Sequence, residues 1–286
     1  MEKLLQWSIA SQSGDKETMD KIGKPDPEML SKLFGNGPDE PTLMKQSIEV
    51  VENPEATDEA KETALENFEM LVENLDNANN IENLKLWPSV IAQLSSSNLN
   101  LSVLAASIIG VATQNNPNSQ KAFLEKENGL EILINLVKAD STPRELALKA
   151  LFALSCFVRN YPEATERFTN LGGWEAVHLQ GSHEDYKLLL RKLSLTSALL
   201  STGLDEKKLD HFKNSRFVDN LISTFDSQNV GCIDKALNII SQLQSLQYKF
   251  TSDEIKRLAS QLESVSHLKD KFSEEDYHTA TTIAFQ

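Results

Sequence analysis

One place in the sequence brings acid and base side chains together, where His183 is followed by Glu184 and Asp185. A histidine beside carboxylates could transfer a proton during catalysis, because its pKa lies close to neutral pH. The same three residues also suit a short polar linker between helices, and this is the interpretation we favour. We therefore assign no catalytic residue and predict that the protein is not an enzyme.

The cysteines and histidines predict neither a metal site nor a disulfide. Cys156 and Cys232 lie far apart, each inside an apolar helical pattern, and this is typical of buried small hydrophobic residues. None of the five histidines pairs with a cysteine at the spacing of zinc ligands. Glycine loops for phosphate, nucleophile elbows and calcium loops are also missing from the sequence. We predict no metal and no cofactor.

The charge of the chain favours a protein partner over nucleic acid or an anionic membrane. The formal net charge is -14, which repels the phosphate groups that supply most nucleic-acid affinity. Acidic residues are concentrated from Glu49 to Glu82, where Lys61 is the one basic residue. Such a run is either a solvated helix face, which we favour, or a docking surface for a basic partner.

Two further groups of polar residues could bind a partner. Lys187, Arg191 and Lys192 open an apolar helical pattern and could pair with carboxylates of another protein or form local salt bridges. Asparagines also end several helical patterns, and such residues could either hold the backbone of an extended peptide or cap helices. These asparagines occupy equivalent places at the ends of repeat helices, namely Asn74, Asn115 and Asn160. Capping is the role that we favour for them.

The elements that position these residues are predicted to be helices throughout. Apolar residues recur three and four apart, as in Leu65, Phe68, Leu71, Val72 and Leu75, which indicates an amphipathic helix. Two glycines and a proline interrupt the pattern at residues 35–38. We expect a flexible N-terminal tail over residues 1–37 and a single helical domain over residues 38–286.

The helical part repeats with a period of about 44 residues. Residues 105–117 align with residues 150–162, so that Asn115 matches Asn160 and Pro117 matches Pro162. Further copies begin near Ala64, Lys192 and Ile233. This period is typical of armadillo and HEAT arrays. We predict an all-α, armadillo/HEAT-like right-handed superhelical repeat solenoid with a concave binding groove.

The ends of the chain are expected to serve other purposes than the repeats. Residues 41–52 and 251–286 match the repeat poorly, and we predict that they form helical end caps. The tail carries a short apolar segment that would resemble a client peptide of a chaperone if exposed, namely Leu4, Leu5, Trp7 and Ile9. The first residues lack the features of a secretory signal, and no stretch is long and apolar enough to cross a membrane. We expect a monomer in the cytoplasm, with the nucleus as a second location.

Three segments resemble one known family. Residues 1–10 (MEKLLQWSIA), 38–45 (PDEPTLMK) and 73–80 (ENLDNANN) are similar to the fungal cytosolic branch of the heat-shock-seventy-binding-protein-one family. Members are nucleotide exchange factors for seventy-kilodalton heat-shock chaperones. The resemblance implies that the concave face holds one lobe of the chaperone's ATPase domain and opens the nucleotide cleft, so that ADP leaves.

The resemblance also implies residue roles. Ala78 would permit close approach of the chaperone and Arg191 would meet an opposite charge, while the apolar tail segment would imitate a client. The candidate partner-binding residues are Asp76, Asn77, Ala78, Asn79, Asn115, Asn160 and Arg191. The alternative function is an armadillo adaptor that holds an extended basic peptide along Asn74, Asn115 and Asn160. It is weakened because the tryptophans, Trp7, Trp87 and Trp174, lack the regular spacing that accompanies such an asparagine ladder.

Overall fold

The computed structural model describes residues 38–179 and 185–285, and all regular secondary structure in these ranges is helical. The chain divides into two compact units, Met1–Gln46 and Ser47–Gln286. Of the first unit, the structure describes residues 38–46, where the carboxylate of Asp39 accepts a hydrogen bond from the backbone N–H of Thr42 (2.9 Å). The predicted domain boundary between residues 37 and 38 stays a prediction. Within the described ranges, no helix has the length and apolar character needed to span a bilayer.

Among the described residues from Leu75 to Ser245, the helices recur in the order of two short helices and one long helix, with a 3₁₀ helix as the second short one before Tyr186. The α-helices are α1 (Glu40–Glu52), α2 (Asp58–Val72), α3 (Leu75–Asn83), α4 (Trp87–Gln93), α5 (Leu99–Thr113), α6 (Pro117–Leu124), α7 (Gly129–Lys138), α8 (Arg144–Val158), α9 (Pro162–Asn170), α10 (Tyr186–Leu200), α11 (Glu206–Asn214), α12 (Phe217–Ser223), α13 (Val230–Ser245), α14 (Ser252–Ser264) and α15 (Glu274–Phe285). Short 3₁₀ helices lie at Gly173–Val177, Thr224–Ser227 and Ser266–Lys271.

The last helix of each repeat, which we call the third helix, packs against the third helix of the next repeat, so these helices form one continuous layer in the second unit. The third helices are α2, α5, α8, α10, α13 and α15, and each packs against the next in this order. They begin 41 to 45 residues apart, which confirms the predicted period. The segment after α13 keeps the spacing but not the order, because α14 has 13 residues and α15 has 12. This difference agrees with the helical end cap expected over residues 251–286.

The first short helix of a repeat begins at a polar N-cap in several copies. Asn74 accepts a hydrogen bond from the backbone N–H of Asp76 (2.8 Å), and Asn116 does the same for Ser119 (3.3 Å). Each such bond satisfies a backbone donor that the first helical turn leaves free. Asn116 therefore has the N-cap position that Asn74 has in the earlier repeat. Measured from the preceding third helix, the predicted equivalence of Asn74, Asn115 and Asn160 is confirmed, because each lies two residues after the helix ends at Val72, Thr113 and Val158.

Asn115 and Asn160 have a different role, because both adopt left-handed backbone angles at the end of a third helix. Their φ angles are 52° and 57°. Asparagine tolerates this conformation better than most residues, which explains why it recurs where the chain turns from a third helix into the next repeat. The backbone N–H of Asn160 also donates to the Oγ of Ser201 (2.7 Å). Both side chains are exposed.

The core is organised around aromatic residues at equivalent positions of the first helices. Phe123, Phe168 and Phe212 are at most 2% exposed, and each is the seventh residue of its helix. Trp87 and Phe157 lie on either side of Phe123, with ring centroids 5.4 and 5.0 Å away. Aromatic contacts of this kind join neighbouring repeats, because a single repeat cannot cover its own apolar face.

The two cysteines are buried and free, as predicted from their apolar surroundings. Burial raises the pKa of both thiols to about 11, so neither forms a thiolate at neutral pH. They are packing residues of the third helices α8 and α13.

Candidate partner-binding site

Polar side chains link the third helices α2, α5 and α8 across the surface of the solenoid. Ser107 of α5 donates a hydrogen bond to the carboxylate of Glu69 on α2 and accepts one from the Nζ of Lys149 on α8 (2.9 Å). Ser107 is only 1% exposed, so its hydroxyl must find partners inside the protein. The contact places the Lys149 ammonium over the preceding helix.

Arg191 belongs to α10, the third helix that follows α8. Its guanidinium carbon is 5.2 Å from the ring centroid of Phe152 on α8, a distance typical of a cation–π contact. Phe152 in turn packs against Gly110 of α5, where an added Cβ atom would clash with the ring. Gly110 therefore makes room for Phe152, and Phe152 positions Arg191, which is itself exposed.

Lys235 of α13 continues the line at the C-terminal end. Its Nζ donates to the Oγ of Ser197 on α10 (3.1 Å) and to the Oδ1 of Asn238 (3.0 Å). Asn238 then donates to a carboxylate oxygen of Asp276 on α15 (3.2 Å). Burial lowers the pKa of Lys235, and the positive charge of Arg159 lowers it further. Sequence inspection missed Lys235 and Lys149, although both recur at the repeat period from Arg191.

The predicted basic cluster of Lys187, Arg191 and Lys192 is divided by the structure. Lys187 and Arg191 are exposed, whereas Lys192 is partly buried and its Nζ donates to the backbone carbonyl of His178 (2.9 Å). Burial is the main cause that lowers the pKa of Lys192. Lys192 thus supports the segment before α10, whereas Lys187 and Arg191 are accessible to a partner.

The predicted contact residues at the start of α3 are partly exposed and partly buried. Asp76 is exposed and Asn79 is partly exposed, but Asn77 and Ala78 are only 2% and 3% exposed. Asn77 donates to the backbone carbonyl of Leu71 (2.9 Å), which ties α3 to the end of α2. The carbonyl of Ala78 accepts a hydrogen bond from Ser119 of α6 (3.2 Å). Direct contact of Ala78 with a partner stays a prediction, since its side chain is covered by the protein itself.

The acidic run forms one stripe along α2, because its glutamates are spaced three and four residues apart. The stripe consists of Glu59, Glu62, Glu66, Glu69 and Glu73. The side chains of Asn98 and Asn100 donate to Glu62 (2.7 and 3.0 Å) and lower its pKa, and Ser107 donates to Glu69. Those two glutamates hold α2 to its neighbour, whereas the other three are exposed.

The acid–base triplet gives no support for catalysis. His183 and Glu184 lie outside the described residues, and Asp185 is the N-cap of α10, where it accepts from the backbone N–H of Leu188 (3.1 Å). Arg144 also binds Asp185 with two N–H groups, one of them at 2.9 Å. The Arg144 hydrogen bond is the largest cause that lowers the pKa of Asp185 to about 2.

This ion pair predicts a loss of stability in acid. Because the pKa of Asp185 lies below its ordinary value of 3.8, its contribution is complete above about pH 4 and is lost as the pH falls toward 2. We expect Asp185→Asn to lower the free energy of unfolding at pH 7 by about 1 kcal/mol, since solvent screens part of the pair. The difference from wild type should be much smaller at about pH 2 than at pH 7 in thermal melts, because Asp185 is then about half protonated in the folded protein. A difference that stays constant from pH 7 to pH 2 would contradict the ion-pair explanation.

The apolar tail segment cannot be placed, because Leu4, Leu5, Trp7 and Ile9 lie outside the described residues. Its proposed imitation of a client stays a prediction.

Comparison with known families gives two matches that together run from the N-terminus through most of the repeats. Residues 1–81 match the family described as nucleotide exchange factor Fes1, and residues 77–224 match the SIL1/FES1/HPBP1 C-terminal domain. The two matches meet at the start of α3, the segment on which the sequence-based resemblance depended.

Curated relatives match over nearly the whole chain. Proteins named Hsp70 nucleotide exchange factor FES1 are 53% identical in Scheffersomyces stipitis and 54% identical in Debaryomyces hansenii, with 99% of both chains covered in each case. The protein of that name in Saccharomyces cerevisiae is 42% identical over 97% of this chain and 98% of its own.

Solved structures identify the fold. A designed armadillo repeat protein in complex with the peptide (KR)4 has a TM-score of 0.67 and 13% identity, covering 85% of this chain and 99% of its own. Computationally designed armadillo repeat proteins for modular peptide recognition give the same TM-score at 14% identity, covering 85% of this chain and 100% of the other. The predicted all-α armadillo fold is thereby confirmed. Together with the family matches and the full-length relatives, these findings show that the chain belongs to the Fes1 family of Hsp70 nucleotide exchange factors.

Proposed function

We propose that this protein binds the ATPase domain of a cytosolic Hsp70 chaperone and accelerates the release of ADP, and thereby of the bound client. The observation that carries the proposal is identity of 42 to 54% over at least 97% of the chain to proteins named for this activity. Such coverage includes the third helices and the start of α3, so the surface described above lies within the shared region.

Exchange requires only a difference in binding, and no covalent chemistry. The protein must bind the open, nucleotide-free ATPase domain more tightly than the closed, ADP-bound form. By linkage, it then weakens ADP binding by the same factor by which ADP weakens its own binding. A hundredfold effect corresponds to about 2.7 kcal/mol, which a few interface contacts can supply. We accordingly propose that the protein is a co-chaperone and not an enzyme.

The repeat architecture suits this task because a solenoid presents a large preformed surface. Consecutive third helices pack directly on one another, so charged groups on their surface are held in fixed relative positions. We assign partner binding to Arg191, Asp76 and Asn79, with Asn115 and Asn160 as exposed neighbours at the repeat junctions. Asn77 and Ala78 would act by holding α3 in place. We also place the protein in the cytoplasm, the location that the resemblance to the fungal cytosolic branch implies.

The decisive experiment measures the release of a fluorescent ADP analogue from a purified cytosolic Hsp70. We expect the wild-type protein to raise the release rate strongly and Arg191→Ala to lose most of this effect. Arg167→Ala is a matched control, since Arg167 is an exposed arginine on α9 and not on a third helix. No acceleration by the wild-type protein with several cytosolic Hsp70 paralogues would overturn the proposed function.

The alternative adaptor function receives less support from the geometry. A basic peptide lying across the third helices would approach Lys149, Arg191 and Lys235, and these repel it. Asn115 and Asn160 already serve left-handed turns at helix ends. Titration with a lysine-rich peptide would separate the two functions, and we expect no saturable binding.

A further inference from the structure

Three third helices carry a cation at the same position. Lys149, Arg191 and Lys235 are each the sixth residue of their helix, in α8, α10 and α13 respectively. These are consecutive third helices that pack directly against one another. The three charges therefore form a regular row that crosses three repeats.

The side chain of each cation in the row contacts an uncharged group on the preceding third helix. Lys149 donates to Ser107, Arg191 stacks on Phe152 and Lys235 donates to Ser197. Within residues 38–179 and 185–285, none of the three forms an ion pair with a carboxylate. Asp276 and Asp234 attract the Lys235 ammonium without forming an ion pair with it. In a chain with a net charge of -14, three aligned cations without ion pairs are suited to carboxylates of another protein.

The spacing of the row restricts the kind of structure that can meet it. Neighbouring packed helices lie about 8 to 10 Å apart, so the cations recur at about that interval. On a partner helix, residues seven apart share one face and are about 10.5 Å apart at 1.5 Å per residue. Side chains on one face of a strand repeat at about 6.7 or 13 Å, which fits less well.

We propose that Lys149, Arg191 and Lys235 form a basic ladder that docks along one acidic α-helix of the Hsp70 ATPase domain, with carboxylates seven residues apart. This inference rests on the proposed function and names the chemistry of its interface. Lys149 and Lys235 are the new contact residues, since the family resemblance implies only Arg191. Three carboxylates at this spacing span about 21 Å, so the partner helix has at least about four turns.

The test measures the affinity of the full-length protein for a purified Hsp70 ATPase domain at several salt concentrations. We expect Lys149→Glu and Lys235→Glu each to weaken binding about fivefold, and the double variant about twentyfold, with a shallower salt dependence. Lys149→Met and Lys235→Met retain side-chain volume and remove the charge, and should weaken binding by a smaller factor. They separate a charge effect from misfolding, and circular-dichroism melts confirm that each variant is folded.

The control is the double variant Lys121→Glu with Lys256→Glu, which changes the net charge equally on exposed residues of α6 and α14. If it weakens binding as much as the ladder variant, the ladder is wrong while the proposed function stands. If the wild-type protein does not bind the ATPase domain at all, the proposed function fails and the ladder fails with it. Restored binding of Lys149→Glu to an ATPase domain with a lysine on an acidic helix would identify the docked helix.

Discussion

Arg191→Glu is expected to weaken binding to the Hsp70 ATPase domain by about a hundredfold or more. Arg191 is the most exposed cation of the basic ladder and the central one. Its replacement by glutamate therefore places a negative charge at the centre of the ladder, where it repels the carboxylates of the partner. Its guanidinium is already held over Phe152, so little side-chain freedom is lost on binding. Titration calorimetry measures the loss, and the thermal melt of the variant should match that of wild type.

The positioning role of Phe152 can be separated from a general packing role. Phe152→Leu removes the ring under Arg191 and should weaken binding about tenfold, because the guanidinium is then free to sample other rotamers. In an Arg191→Ala background, the same change should have almost no further effect on binding. If Phe152→Leu weakens binding by the same factor with and without Arg191, the aromatic ring acts independently of Arg191 and the proposed coupling is wrong.

The repeat and its core could be predicted from the sequence because both depend on local periodicity. Residues 105–117 and 150–162, which the alignment paired, form the last parts of the third helices α5 and α8 and the starts of α6 and α9, since a residue that must fill the same space in each repeat recurs at the same position. Arg191 was identified from the basic cluster and the family resemblance, and not from the repeat. Lys149 and Lys235 lie one repeat period from Arg191 on either side. The sequence alone does not distinguish them from the many other lysines, because the alignment of the three cations depends on how the helices pack.

Other parts of the site depend on information that a sequence pattern lacks. Asn115 and Asn116 are adjacent, yet one adopts a left-handed turn and the other caps a helix, because the turn before α6 is one residue longer than the turn before α3. Helical periodicity also fails to predict which face of α3 is covered. That face is determined by α6, a helix from the following repeat that contacts Ala78 through Ser119. The burial of Ala78 is therefore a tertiary effect.

Ala78→Arg is expected to lower the free energy of unfolding by about 3 kcal/mol, because it forces a long charged side chain into a position that is 3% exposed. The hydrogen bond from Ser119 to the Ala78 carbonyl would be broken as α3 and α6 move apart. We therefore expect the variant to lose Hsp70 binding and to melt at a clearly lower temperature. Thermal melts and binding titrations on the same preparation measure both effects.

Asp76→Arg is a control for stability only, since Asp76 is exposed on the same helix two residues before Ala78 and is itself assigned to partner binding. This change should leave the melting temperature close to that of wild type, and any loss of binding would then report direct contact at the start of α3. Ser119→Ala should weaken binding modestly together with stability, because it loosens α3 without adding charge. An Ala78→Arg protein that melts like wild type but no longer binds would instead make Ala78 a direct contact residue. The position of α3, and not the Ala78 side chain, is the feature that we expect the chaperone to require.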